Sequence, residues 1–305
     1  MARVFLMSPP PSGWRIVGGA NYKSEARPTV NAQKALREWI ALADAIVGEG
    51  GEVAVVPPAP GPTPLTGLMY TANAGWLIAP DRFRIARLSV AHRAAERAYL
   101  GSTLGHFGWT LEESRTVWEG QADMCSLGPD AIVLTFGVRS VAESLDEVRD
   151  ASAKSWHAAK LQNPFFHGDT CMDVGDSPGG KLWLAYPGAF ASTQDYQGAR
   201  SFAEQYAEVV EISEADALGY ACNSLSLDNV LLAPTGRRHG LLKTLAGKGV
   251  EVVPLDFAEL FGKGGGGPRC LVNELRGLTT LNDAWSYRLQ REALVASAAS
   301  YPQSA

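Results

Sequence analysis

The sequence predicts an α/β protein. Short aliphatic runs recur along its whole length, stretches with helical spacing sit between them, and no linker or low-complexity block breaks the alternation. An apolar fraction of 46% over 305 residues is ordinary for a globular chain and enough to bury a real core. The reading is a single domain over 1–305, with a tail after Ala296 that is loose.

Taken in order, the opening Met1-Ala2-Arg3-Val4-Phe5-Leu6-Met7 is apolar but stops at a proline run, too short for a signal sequence, and reads as a first buried strand. Residues 31–46 carry apolar positions at helical spacing, with an exit at Gly48. Strand-like runs of four to six residues follow at 52–56, 76–79, 131–135, 181–186, 230–233 and 250–253, each near Gly, Pro or Asp. Helical patterns cover 140–159, 199–209 and 239–248. The run Gly51-Glu52-Val53 to Pro57 is echoed by Gly249-Val250-Glu251-Val252-Val253-Pro254, a loose internal repeat that any helix-to-strand junction would also produce.

Charge and cysteine usage narrow the function. A net charge of -5 and a pI near 5.6 argue against nucleic acid as the main partner, because phosphate binding needs a basic surface. No apolar run approaches the roughly 18 residues of a membrane span. Cys125, Cys171, Cys222 and Cys270 form no Cys-x-x-Cys pair and are too sparse for a disulfide framework. The expectation is a cytoplasmic chain with reduced thiols, acting on a small molecule, with neither nucleic acid nor membrane as partner and with homo-oligomerisation left open.

Three segments carry the chemistry. Cys270 ends the glycine track Gly264-Gly265-Gly266-Gly267-Pro268-Arg269, where the backbone can approach a ligand closely. Arg269 is a neighbouring cation of the kind that lowers a thiol pKa, although adjacent side chains often diverge. A buried packing role is the ordinary fate of a free cysteine, and it is the reading for Cys171 and Cys222. The track itself is no phosphate loop, since no Gly-Lys-Ser/Thr follows; it reads as a flexible loop or lid. His167-Gly168-Asp169 offers an imidazole and a carboxylate two residues apart, on one face if the segment is a strand. Glu119 and Asp123 flank Gly120-Gln121-Ala122 and would suit a planar cation such as guanidinium. No spacing matches a zinc site, so neither metal nor cofactor is expected. A thiol, an imidazole and carboxylates are the kit for covalent catalysis at an electrophilic carbon.

Four segments in this order resemble the guanidine-modifying superfamily, the pentein fold of arginine deiminases, amidinotransferases and dimethylarginine dimethylaminohydrolases. They are Met69-Tyr70-Thr71-Ala72-Asn73-Ala74-Gly75, Glu119-Gly120-Gln121-Ala122-Asp123, His167-Gly168-Asp169 and Gly265-Gly266-Gly267-Pro268-Arg269-Cys270. The resemblance spans residues 50 to 276 and is strongest to the dimethylaminohydrolase-like branch. It implies a five-bladed α/β propeller of ββαβ units. It also implies Cys270 as nucleophile, His167 as acid/base, Asp169 as its partner and Asp123 as the acid facing the substrate nitrogens, with Glu119, Asn73 and Arg139 at motif positions.

The departures shape the substrate expectation. Gly67 stands where relatives acting on arginine derivatives carry a guanidinium-binding Asp. Ser89 aligns with an arginine that grips the α-carboxylate, with Arg87 and Arg93 near enough to compensate. The expected activity is therefore hydrolysis of a C–N bond at a guanidine-like carbon of a small non-amino-acid compound. The neutral candidate is 2-nitroimidazole, whose hydrolytic denitration is counted among the superfamily's reactions. Dimethylaminohydrolase or deiminase chemistry on arginine derivatives is the alternative. So are amidinotransfer, in which an amine replaces water, and a binding protein that merely keeps the motifs.

Overall fold

The computed structural model describes residues 2–19, 21–61, 65–149, 155–235, 239–278 and 281–302. Five three-stranded sheets repeat one pattern: an antiparallel pair, a helix, and a third strand parallel to the second. Strand β1 (Val4–Met7), helix α1 (Ala32–Gly48) and β2 (Glu52–Val55) form a parallel crossover. Next come β3 (Gly75–Ala79), β4 (Arg82–Ile85), α2 (Ala95–Leu104) and β5 (Thr110–Glu113). The third unit is β6 (Met124–Ser126), β7 (Ala131–Phe136), α3 (Ser144–Arg149) and β8 (Ser155–Lys160). The fourth is β9 (Met172–Ser177), β10 (Gly180–Ala185), α4 (Thr193–Ala203) and β11 (Glu208–Glu211). After the short α5 (Glu214–Leu218), the fifth is β12 (Leu225–Leu227), β13 (Val230–Pro234), α6 (His239–Gly247) and β14 (Glu251–Leu255). The two-residue β15 (Asn273–Glu274) then returns to pair antiparallel with β1 and completes the first sheet from the far end of the chain. Helix α7 (Tyr287–Ala298) follows.

The sequence explains why these elements form. The second strand of each unit is flanked on both sides: β1, β7 and β13 bury nearly every residue and β10 its last four, whereas β4 buries only Phe83 and Ile85. Near-complete burial is the pattern of a strand covered on both faces. Asn31 caps α1, its side chain accepting from Lys34 N at 2.8 Å, and Leu36, Trp39, Leu42 and Ile46 on one face are fully buried. Glu38, also buried, accepts the backbone N–H groups of Glu259 (2.9 Å) and Leu260 (2.8 Å), so α1 anchors the segment that leads into the glycine track.

Two helical readings are corrected. The pattern over 140–159 passes through 150–154, which lie outside the described residues, and its remainder is helix only at α3; residues 155–160 are β8, paired parallel to β7. Alanines there suggest helix, but propensity is a weak prior against a full ladder of inter-strand bonds. The helix read at 199–209 begins earlier, at α4, where Ser192 accepts from Asp195 N (3.0 Å), and 208–211 is β11. Residues 297–302, the described part of the stretch after Ala296, pack back on the fold. Gln33 Nε2 donates to Ala298 O (2.9 Å), Tyr301 Oη donates to Pro10 O (3.1 Å), and Tyr287 packs edge-on against Trp39. No helix among the described residues is long and apolar enough to cross a membrane.

One regularity positions the site. The first strand of each unit is preceded by a tight turn: Thr71–Ala74 before β3, Gly120–Asp123 before β6, Gly168–Thr170 before β9, the Tyr220–Asn223 turn before β12 and the Cys270 turn before β15. Each turn delivers polar side chains to one region, and every candidate motif except the Gly67 and Arg139 positions falls in such a turn or just before one.

Candidate active site

Cys270 is buried at 7% exposure, and its sulfur meets two neighbours. Asn223 Nδ2 donates to Sγ at 3.0 Å, and the thiol faces Asp169 Oδ2 at 3.3 Å. Asn223 also accepts Gly267 N (2.8 Å) and Cys270 N (3.2 Å) on Oδ1, so one side chain fixes both the loop and the sulfur. Sequence reading passed over Asn223 as part of a packing segment; only its place at the pre-strand turn marks it. The glycines permit close approach here: Gly265 has φ of 81°, and a Cβ on Gly266 would run into the Tyr70 ring. Burial first, and then the Asp169 carboxylate, hold the Cys270 thiol well above the usual thiol range. Arg269 opposes this only weakly, because its side chain diverges from the thiol and lines a different cavity.

His167 precedes the Gly168–Thr170 turn rather than lying in a strand with Asp169, so the two side chains separate. The hydrogen-bonded partner of His167 is Glu119, not Asp169: Nε2 lies 2.9 Å from Glu119 Oε2. Glu119 is wholly buried, its Oε1 accepting Ser89 N (2.7 Å) and Ser89 Oγ (2.6 Å), with Arg139 Nη1 3.8 Å from Oε2. Burial alone would raise the Glu119 carboxyl, but the His167 bond and charge, with Arg93 and Arg139, pull it far below the carboxylate range. Burial likewise works against protonated His167, yet Asp123, Glu119 and Asp169 together raise it. The contact favours the charged form of both partners, and Ser89 serves the carboxylate.

Asp123 sits deeper. Its Oδ1 accepts Thr135 Oγ1 (2.7 Å) and Gly168 N (3.1 Å), its Oδ2 accepts Ser140 Oγ (2.5 Å), and it does not line the cavity that Cys270 and His167 share. Its contacts fix the turn after His167.

That cavity, of about 70 Å3, is lined by Cys270, His167, Asn73, Gly67, Arg93 and Arg139 among others. Asn73 donates to Glu119 O (2.9 Å) and accepts from Arg93 Nη1 (2.8 Å). Of the two arginines near position 89, Arg93 reaches the cavity while Arg87 turns to Arg115 O. Arg93 is buried, paired through Nε and Nη2 with both oxygens of Glu96 (2.9 and 2.7 Å), and its Nη2 also donates to Gly67 O (2.8 Å). A Cβ on Gly67 would run into Arg93 and Glu96, so the glycine and this ion pair occupy one space. A second cavity of about 690 Å3 carries Asp169, Arg269, Lys181 and Arg276 in its wall. Among the described residues no group of three or more His, Cys, Asp or Glu is arranged to hold a metal ion.

No family profile matches the chain. Relatives and structural neighbours with an assigned activity are nonetheless dimethylarginine dimethylaminohydrolases and arginine dihydrolases, members of the pentein guanidine-modifying superfamily, and the resemblance read from the four segments stands. The N(G),N(G)-dimethylarginine dimethylaminohydrolase of Mycobacterium tuberculosis H37Rv is 27% identical over 267 residues, 87% of this chain and 84% of that one. The N-terminal domain of ArgZ, an arginine dihydrolase from the ornithine-ammonia cycle in cyanobacteria, shares the fold with a TM-score of 0.77 at 23% identity, over 90% of this chain and 98% of that one. Unliganded AgrE gives 0.78 at 25% identity, over 92% of this chain and 40% of that one.

Proposed function

We propose that this chain is a metal-independent cysteine hydrolase that cleaves a C–N bond at a guanidine-like carbon, its five sheets arranged as the blades of an α/β propeller. The observation that carries the reading is that Cys270 and a Glu119-held His167 face one small cavity. The Cys270 thiolate attacks the carbon and gives a tetrahedral adduct. His167, protonated through its ion pair, gives its proton to the leaving group, which departs and leaves a covalent thiol adduct. The imidazole then takes a proton from water, and the hydroxide releases the product. Asn223, donating to sulfur, steadies the thiolate before attack.

The cavity favours a compact substrate. About 70 Å3 leaves room for little more than a few waters, far below the roughly 300 Å3 at which pockets begin to hold drug-sized ligands. Its walls include Arg15, His92, Arg93 and Arg139 and no carboxylate, which disfavours a cationic guanidinium. A neutral planar ring such as 2-nitroimidazole, losing nitrite, fits both features. The kinship with the mycobacterial enzyme favours a second reading, hydrolysis of a methylated arginine.

Steady-state assays with dimethylarginine, arginine, agmatine, guanidine and 2-nitroimidazole, reading amine, ammonia and nitrite, separate the two. Cys270→Ala is expected to abolish turnover of whichever substrate is used while leaving circular dichroism unchanged. Residual activity above a few per cent in the folded variant overturns the nucleophile. A kcat/KM for dimethylarginine well above that of every neutral compound overturns the neutral-substrate reading alone.

A further inference from the structure

The mechanism above leaves one proton unplaced. Cys270 is a thiol held well above its usual range, and attack needs the thiolate. His167 is ill-suited to take that proton. Its Nε2 is engaged with Glu119, a contact that favours its protonated form, and no hydrogen bond joins it to the sulfur among the described residues. Asn223 offers Sγ a donor and has no basic atom there.

We propose that Asp169 accepts the Cys270 thiol proton. The inference rests on the reading of Cys270 as nucleophile. Asp169 Oδ2 lies 3.3 Å from Sγ, within reach of the proton. Its other oxygen, Oδ1, is buried and has no hydrogen-bond partner in the protein. A buried carboxylate oxygen with no donor is poorly stabilised as an anion, which favours a proton on this group. Asp169 thus faces the sulfur with one oxygen while the other is left unsolvated.

The step balances within the pair. The S–H bond breaks, sulfur keeps the electron pair, and an O–H bond forms at Oδ2. The pair carries one negative charge before and after, so the transfer brings no net charge into a buried site. Burial raises both partners, and the contact between them raises the thiol and lowers the carboxyl. The other groups acting on Asp169 are His167 and Arg269, which lower its carboxyl, and Asp123, which raises it. Cys171 and Tyr220 also feel its charge.

The test is the rate of Cys270 alkylation by iodoacetamide from pH 7 to 9, followed at that residue by mass spectrometry. In the native protein the reactive form is an internal tautomer, so the rate is expected to change by less than about twofold per pH unit. In Asp169→Asn the thiol must lose its proton to solvent, and the rate is expected to climb about tenfold per unit. Asp169→Glu is expected to restore the shallow profile. A shallow profile in Asp169→Asn, or a tenfold climb in the native protein, overturns the proposal. No labelling of Cys270 at any pH, together with turnover by Cys270→Ala, overturns the nucleophile reading instead.

Discussion

Glu119 shows what single residues reveal and conceal. Cys270 and His167 were legible in the sequence because each sits in a distinctive run, the glycine track and the His-x-Asp triplet. Glu119 was visible as a carboxylate, but its bond to His167 spans 48 positions and no local spacing announces it. Asn223 was missed, and the bond of Ser89 to Glu119 was not foreseen, for the same reason: the partners lie far off in the sequence. The Glu119 pair has a signed consequence. Catalysis that needs imidazolium is present below the pKa of His167 and is lost as pH rises through it. Since Glu119 helps to raise that pKa, Glu119→Gln is expected to move the alkaline limb of kcat/KM to lower pH. An unmoved limb would show that the pair does not set it.

At the scale of elements, the sequence located most strands and erred where helical composition overlapped a strand. Residues 155–160 and 208–211 are short and lie beside helices, and their ladders with β7 and β10 decide them. Burial of charge inside an element was also out of reach: Arg93, read as a stand-in for a carboxylate-gripping arginine, forms a buried pair with Glu96 one turn on. Arg93→Met strands the Glu96 carboxylate and is expected to cost about 3–5 kcal/mol, whereas Arg93→Met with Glu96→Met recovers most of it. Urea midpoints for both variants check this. Helix α1 makes a second prediction through Glu38, whose carboxyl burial pushes up to about 7 from 4.5. A folded-state pKa above the unfolded value gives stability that is complete below the unfolded pKa and is lost as pH rises through the folded one. Native stability should therefore decline between about pH 4.5 and 7, by at most on the order of 3 kcal/mol. Glu38→Gln should flatten that slope in denaturant titrations at pH 5 and pH 8; equal slopes would sink the assignment.

Across the whole molecule, five repeats of one ββαβ pattern stand behind a sequence in which only a faint echo was visible. The repeats share geometry, not residues. Their crossovers range from a helix of 17 residues to one of six, so no fixed period survives in the chain. The alternation was legible because each unit demands it, but the closure of the first sheet by β15 was not, since a two-residue strand leaves no pattern.

That closure has a consequence for the protein while it is being made. Strand β1 leaves the ribosome early with its β15 edge unpaired, a state open to wrong pairings. Its partner lies just beyond Cys270. About a hundred residues separate His167 from Cys270, so at 5–20 residues per second the thiol emerges roughly 5–20 s after the imidazole. On the proposed mechanism the nascent chain stays inert through that interval, and the event that seals its exposed edge is the same one that switches its chemistry on.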